Sequence, residues 1–451
     1  MGRWSSRSRR RVEEHDEVGR CTRAPPARTD TLPTVTELDA VWAFLMAAAA
    51  ALVATPAAAA LARRVGALDT PKERGLHDRP MPRLGGLAIL GGVLLAGLVF
   101  LPVDIETRGI LLGAAIAALV GALDDTFDLP AAAKLSGQVV AAAVPVLSEV
   151  RVENATLPLL GPLDFGPVLG GALTLVGIVA VMNVVNFSDG VDGLAAGVCV
   201  IAAVTFAAIA LSLDRVDAGI LAGLTAGAAI GFLPHNFHPA SIFMGDSGSS
   251  LLGLLLACVA IQGVLKTAAV VALAFPLVIL AVPILDTGFV VAKRIKYRRP
   301  IYLGDRWHFH HRFANIGFSQ PRTVLYLYGW TLALAGLALA LRFVPYSDGR
   351  GDFDPAWTGV LVAAGLAAAA TSVYLVYILE ILKFRRFRER QLRREALVRG
   401  MRPPPQADIE AEISREVETG EFVAIGAGGD SRSTSEGSSR AAPGTPVGDG
   451  R

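Results

Sequence analysis

Four groups of polar residues stand apart in a chain otherwise rich in Ala, Leu, Val and Gly. They are Asp124 and Asp125 with Lys134; Asn183, Asn186, Asp189 and Asp192; Asn236 to Asp246; and Asp286 to His311. Carboxylates and amide oxygens are hard ligands that suit Mg²⁺, an ion usually held by one or two carboxylates plus substrate phosphates. Lys, Arg and His set positive charge against phosphate oxygens, and His changes charge near neutral pH. A metal with basic side chains is common equipment for phosphoryl transfer, where charge on the transferred group is neutralised and the attacking oxygen is positioned. The residues alone therefore point to a Mg²⁺-dependent enzyme acting on a phosphorylated substrate, with Mn²⁺ as the alternative ion.

Each group also has a plainer reading. Asp124-Asp125 precedes Pro130 and fits a solvated helix end. NVVNFSDGVDGLAAG (183–197) fits a turn and a helix cap. In MGDSGSSLLG (244–253), Asp246 or Ser247 fits an N-cap, a role compatible with metal binding. HFHH at 308–311 fits zinc, but no Cys lies near it and the available acids are oxygen donors better suited to Mg²⁺. Cys21, Cys199 and Cys258 are too far apart for a zinc or redox motif and read as small buried hydrophobes.

The elements that must position these groups follow from composition. Of 451 residues, 53% are hydrophobic and 18% charged, with a mean hydropathy of +0.49. A soluble chain would carry about 25% charge. The apolar residues fall in blocks between Val41 and Phe384, each close to the roughly 17–25 residues that a bilayer-spanning helix needs. The expected fold is all-α: a polytopic integral membrane protein with about eleven transmembrane helices. The spans lie near 41–62, 84–103, 108–123, 131–148, 166–185, 193–213, 217–234, 248–264, 268–292, 323–344 and 356–381. Residues 1–36 read as a disordered extension or a mis-called start, without the layout of a cleavable signal peptide. The expected membrane domain is 37–384, and 385–451 reads as a basic, then disordered, cytoplasmic tail.

Loop charge orients the spans. Arg63, Arg64, Lys72, Arg74, Arg79 and Arg83 follow the first span, Lys293 to Arg312 the ninth, and Lys383 to Arg394 the last. All three fall on one side of an eleven-span chain, which is cytoplasmic by the positive-inside rule. The alternate loops are short and mostly acidic, with Asp104, Glu106, Glu149, Glu153, Asp214 and Asp217 among them. The arginines of 1–30 fall on the opposite side, about 30 residues before the first span, beyond the reach of the rule. All four polar groups land on the cytoplasmic side.

Five blocks carry a family resemblance: DTPKERGLHDRPMPRLGGLAI (69–89), GALDDTFDLPAAAK (121–134), NVVNFSDGVDGLAAG (183–197), FMGDSGSSLLG (243–253), and DTGFVVAKRI with DRWHFHHRF (286–313). In this order they resemble the polyprenyl-phosphate N-acetylhexosamine-1-phosphate transferases, a family of the glycosyltransferase family 4 type, over roughly 41–345. The resemblance implies that a lipid phosphate attacks the β-phosphate of a UDP-sugar, giving lipid-diphospho-sugar and UMP. It implies Asp246 as the main Mg²⁺ ligand with Asn186 as a second, and Asp124, Asp125 and Lys134 as catalytic, the lysine binding phosphate. It implies Asp189, Asp192 and Phe243 at the uridine, with Asn183 in the substrate-binding set. His308, His310, His311 and Arg312 resemble the loop at the diphosphate and sugar; Lys72, His77 and Arg83 match the first loop. The pattern from Asp305 to Arg312, with the first loop, looks more like the GlcNAc-1-phosphate transferases than the phospho-MurNAc-pentapeptide transferases. The implied partners are a UDP-sugar, polyprenyl phosphate and membrane lipids, not nucleic acid; a homodimer stays open. The implied site is the plasma membrane, with the active site facing the cytoplasm. The competing reading from another class is a transporter. Against it, the acids sit at one face rather than at mid-membrane, and no internal repeat is visible.

Overall fold

The computed structural model of the protein describes residues 36–70, 80–157, 161–265, 274–296, 319–346, 354–377 and parts of 389–411. The expectations for 1–36 and for most of the tail lie outside these residues. In chain order the helices are α1 (Glu37–Val65), α2 (Gly85–Phe100), α3 (Ile105–Phe127), α4 (Ala131–Leu147), α5 (Gly166–Ser188) and α6 (Leu194–Ser212). They continue with α7 (Val216–Asn236), α8 (Gly245–Ala260, extended by a π turn at Ile261–Leu265), α9 (Ala274–Ile279), α10 (Ala281–Lys296), α11 (Gln320–Phe343) and α12 (Pro355–Tyr377). Two short antiparallel ribbons occur in the connections: β1 (Leu68–Asp69) with β2 (Met81–Pro82), and β3 (Asn154–Leu157) with β4 (Gly161–Asp164).

Among the described residues, eight helices are long and apolar enough to cross a membrane, and Gly85–Phe100, Ala131–Leu147 and Ala281–Ala292 are shorter apolar ones. The protein is an all-α, polytopic membrane protein. Its ends are set locally. Asp104 caps α3 by accepting from the Thr107 amide at 2.7 Å, and α1 closes on Gly66 in the left-handed region at φ 83°. The ninth expected span is interrupted: α9 stops at Ile279 and α10 begins at Ala281. Pro283 has no N–H to offer the Ile279 carbonyl four residues back, and its ring crowds that carbonyl.

Burial separates inner from outer helices. In its most apolar stretch α8 is 89% buried, α7 78% and α6 67%, whereas α1 is 28% and α12 11% buried. The central helix α8 packs against α3, α5 and α2, while side chains such as Leu98, Val168 and Leu366 face outward, where lipid would cover them. Lipid tails give no hydrophobic drive for helix association, so close backbone approach must supply it. The largest helix pairing, α1 with α7, uses glycines four residues apart: Gly223, Gly227 and Gly231 lie against the carbonyls of Ala40, Phe44 and Ala48.

Candidate active site

The site forms where α3, α5 and α7 end and α2, α4, α6 and α8 begin. The strap before α8 is tied to the approach to α2: Phe243 N–H donates to the Pro82 carbonyl at 2.8 Å, and Gly85 and Gly86 donate to the carbonyls of Phe243 and Met244 at 3.1 and 3.0 Å. The chain then turns through Gly245 at φ 71°. A side chain there would collide with the Asp125 carboxylate. That carboxylate accepts from the backbone N–H groups of Asp246 (2.9 Å) and Ser247 (3.0 Å). Asp125, at the end of α3, thus caps α8 from across the bundle, placing negative charge at the positive end of that helix.

Lys134 lies in the first turn of α4, which Pro130 restarts immediately after α3. Its ammonium bridges Asp246 at 2.5 Å and Asp124 at 3.0 Å. The other oxygen of Asp124 accepts from the Leu129 amide at 2.9 Å. Asn186, on the last turn of α5, donates to the free oxygen of Asp246 and to Ser249 Oγ. Asp246 is therefore held from both sides, by a cation and by an amide.

The second wall is the turn between α5 and α6. Asp192 is buried and accepts at 3.1 Å from His238 Nδ1 and from the Ala240 amide. Asn236 spans the same gap, accepting from Gly193 N–H at 3.0 Å and donating to the Ile242 carbonyl at 3.1 Å. Arg83 reaches the rim from β2 and pairs with Asp69 at 2.5 Å. Between the walls lies a cavity of about 380 Å³. Burial pushes the Asp189 carboxyl up to about 8, reinforced by the neighbouring charges of Asp246, Asp125 and Asp192 and opposed by Arg83.

Of the residues singled out in the sequence, Arg83, Asp125, Asn186, Asp189, Asp192, Phe243 and Asp246 line this one cavity. Asp124 and Lys134 adjoin it through Asp246. Asn183 does not line it: one turn deeper along α5, its amide donates to Gln138 and to the Val179 carbonyl, both at 2.8 Å. Lys72, His77, His308, His310, His311 and Arg312 lie outside the described residues. Sequence reading missed Asp69 and Asn236 as lining residues. Each stands at the start of a polar block, yet their pairings with Arg83 and Gly193 span turns that spacing does not reveal. Among the described residues no three His, Cys, Asp or Glu side chains converge as a ready metal cage. One carboxylate beside one amide, Asp246 with Asn186, is the sparse donor set that suits Mg²⁺, which keeps waters and substrate phosphates as its remaining ligands. Asn186 turns its nitrogen toward Asp246; rotating the amide by half a turn presents the oxygen a metal needs.

Fold and cavity together define a polytopic membrane protein with an acidic, lysine-bridged site at one end of its helices. The chain belongs to glycosyl transferase family 4, whose family model matches residues 107–264. It is similar to the probable undecaprenyl-phosphate N-acetylglucosaminyl 1-phosphate transferase of Bacillus subtilis, at 37% identity over 303 residues, covering 66% of this chain and 84% of the relative. It is also similar to the decaprenyl-phosphate N-acetylglucosaminephosphotransferase of Mycolicibacterium smegmatis, at 34% over 383 residues, covering 78% and 92%. The phospho-N-acetylmuramoyl-pentapeptide-transferases are more distant; that of Desulforudis audaxviator is 35% identical over 299 residues, covering 59% and 86%. The protein is an enzyme, which sets the transporter reading aside.

Proposed function

We propose that the enzyme transfers N-acetylglucosamine-1-phosphate from UDP-GlcNAc to a polyprenyl phosphate. The reaction yields polyprenyl-diphospho-GlcNAc and UMP, depends on Mg²⁺, and takes place on the cytoplasmic face of the plasma membrane. The observation that carries this reading is the constellation of Asp124, Lys134, Asn186 and Asp246, brought together at the helix ends from four separate segments.

An oxygen of the lipid phosphate forms a bond to the β-phosphorus while the bond from that phosphorus to the oxygen of UMP breaks. Asp246 and Asn186 would hold Mg²⁺, which when bound neutralises charge on the diphosphate. Lys134, bridging Asp124 and Asp246, keeps these carboxylates from repelling the incoming phosphates. Both Asp125 oxygens are taken by backbone amides, so Asp125 organises the start of α8 and is poorly placed as a base. None is needed: a lipid phosphate is already mostly ionised at neutral pH. Phe243 offers an aromatic face to uracil, and Asp189 and Asp192 line the same cavity. The arginines at 63, 64 and 83 stand on the site's side of the bundle, which supports a cytoplasmic opening. The first-loop block and the spaced histidines after Asp305 support UDP-GlcNAc over UDP-MurNAc-pentapeptide.

The test is UMP release by the purified protein with polyprenyl phosphate and each UDP-sugar, with MgCl₂ or with EDTA. UDP-GlcNAc and MgCl₂ should support release, and EDTA should abolish it. Asp246→Ala should abolish release while the protein still inserts. Release with UDP-MurNAc-pentapeptide alone would replace the substrate assignment, and an active Asp246→Ala protein would remove the metal assignment.

A further inference from the structure

The turn from Asp189 to Gly193 carries two acids into the cavity, yet its apolar support comes from a small separate cluster. Val191 and Leu194 pack there with Val324, Leu327 and Trp330 of α11. Tyr328 of α11 packs against the same cluster and sends its hydroxyl to the Gly193 carbonyl at 2.5 Å. Gly193 sits in the left-handed region at φ 78°, and its N–H is taken by Asn236. Both polar groups of this residue are thus held by side chains from two other helices. Gly197, one turn into α6, leaves the space that the Tyr328 hydroxyl and ring occupy; a side chain at 197 would overlap both.

We propose that Tyr328 is a positioning residue for the nucleotide-sugar side of the site: its hydroxyl fixes the turn that bears Asp189 and Asp192 and ties that turn to the helix following the His308–Arg312 segment. The inference rests on the proposed reaction. The hydrogen bonds that hold Lys134, Asn186 and Asp246 come from α3, α4, α5 and α8, so loosening the turn leaves the phosphate-handling groups in place. The Gly193 carbonyl also accepts from the Gly197 amide at 3.0 Å. Removing the hydroxyl therefore does not orphan the carbonyl, and the variant keeps its fold.

The experiment compares the full-length protein with Tyr328→Phe, Gly197→Ala and the double variant. Transfer kinetics are measured against each substrate, alongside UDP binding by calorimetry and thermal unfolding in detergent. Losing one neutral hydrogen bond predicts a rise of roughly three- to tenfold in KM for the UDP-sugar and in Kd for UDP. The KM for polyprenyl phosphate and the unfolding temperature should stay at wild-type values. Gly197→Ala displaces the same hydroxyl and should raise the same KM and Kd. Because its methyl also overlaps the ring, it should lower the unfolding temperature as well, and the double variant should bind UDP no worse than Gly197→Ala alone. Wild-type KM and Kd in Tyr328→Phe would overturn the proposal, as would equal rises in both KM values with a lower unfolding temperature. A wild-type protein that binds UDP but transfers nothing would instead sink the reaction, leaving the UDP affinities of the variants to judge Tyr328.

Discussion

Lys134 is the residue on which the charge balance of the site turns. Its ammonium is the bridging partner of Asp124 and Asp246, whose side chains are only 11% and 24% exposed. Lys134→Met leaves two carboxylates facing each other with little water, at a cost on the order of 3 kcal/mol. Thermal unfolding in detergent should fall by several degrees and UMP release should disappear. Adding Asp124→Asn should restore part of the stability and none of the activity. A Lys134→Met protein as stable as wild type would mean that the bridge carries no such balance. Asp189 predicts a pH effect. Its folded carboxyl titrates near 8 against an ordinary value of 3.8, so between those values the folded form holds a proton that the unfolded form lacks. That stabilisation is complete below about pH 4 and is lost as pH rises toward 8. In metal-free buffer the unfolding temperature should decline from pH 5.5 to 8.5, and Asp189→Asn should flatten the decline; an unchanged slope would contradict the assignment. The identities of these groups were legible in the sequence because charged residues in an apolar chain stand out. Their partners were not. That Asp125 caps a helix 121 residues further on depends on α3 and α8 packing side by side, which no spacing encodes.

At the scale of elements, apolar runs marked the helices other than α9 and α10 to within a few residues, because only helices satisfy their own backbone in lipid. Hydropathy counts side chains and is blind to main-chain geometry, so it joined α9 and α10 into one span and passed over the break before Pro283. It equally says nothing about which helices touch. The two glycine contacts make that difference measurable. Gly227 of α7 lies against the Phe44 carbonyl of α1, remote from the site, while Gly86 of α2 lies against the backbone of Ser247 and Gly248 at the start of α8. Alanine at either position overpacks a helix contact, at about 1–3 kcal/mol. Gly227→Ala should lower the unfolding temperature while folded protein keeps its kcat/KM. Gly86→Ala should also shift Asp246 and lower kcat/KM by at least about tenfold. Equal kinetic losses in both would show that stability alone governs activity here.

At the scale of the molecule, the cavity-lining groups among the described residues sit at one end of the helices, and the opposite end is lined by Glu106, Glu149, Arg151, Glu153 and Arg215. Both ends are polar, so the local chemistry of either does not orient the protein. Orientation comes from the basic loops, and the densest of these in the first half of the chain, Arg63 to Arg83, joins α1 to α2 at the site's end. Lys and Arg resist translocation across the bilayer, whereas Asp and Glu contribute little, so this loop should stay inside the cell. The helices then alternate, which places residues 128–130, 189–193 and 237–244 inside with it, and 101–104, 148–153 and 213–215 outside. Single cysteines introduced at positions 129, 190 and 240 of a protein lacking its native cysteines should resist an impermeant maleimide in intact cells and react once the membrane is opened. Those at 103, 149 and 214, all exposed in the fold, should react in intact cells. A reagent that reached both position 190 and position 149 from outside would break the alternation, and with it the interior-facing cavity to which α3, α5 and α8 each bring a carboxylate or an amide.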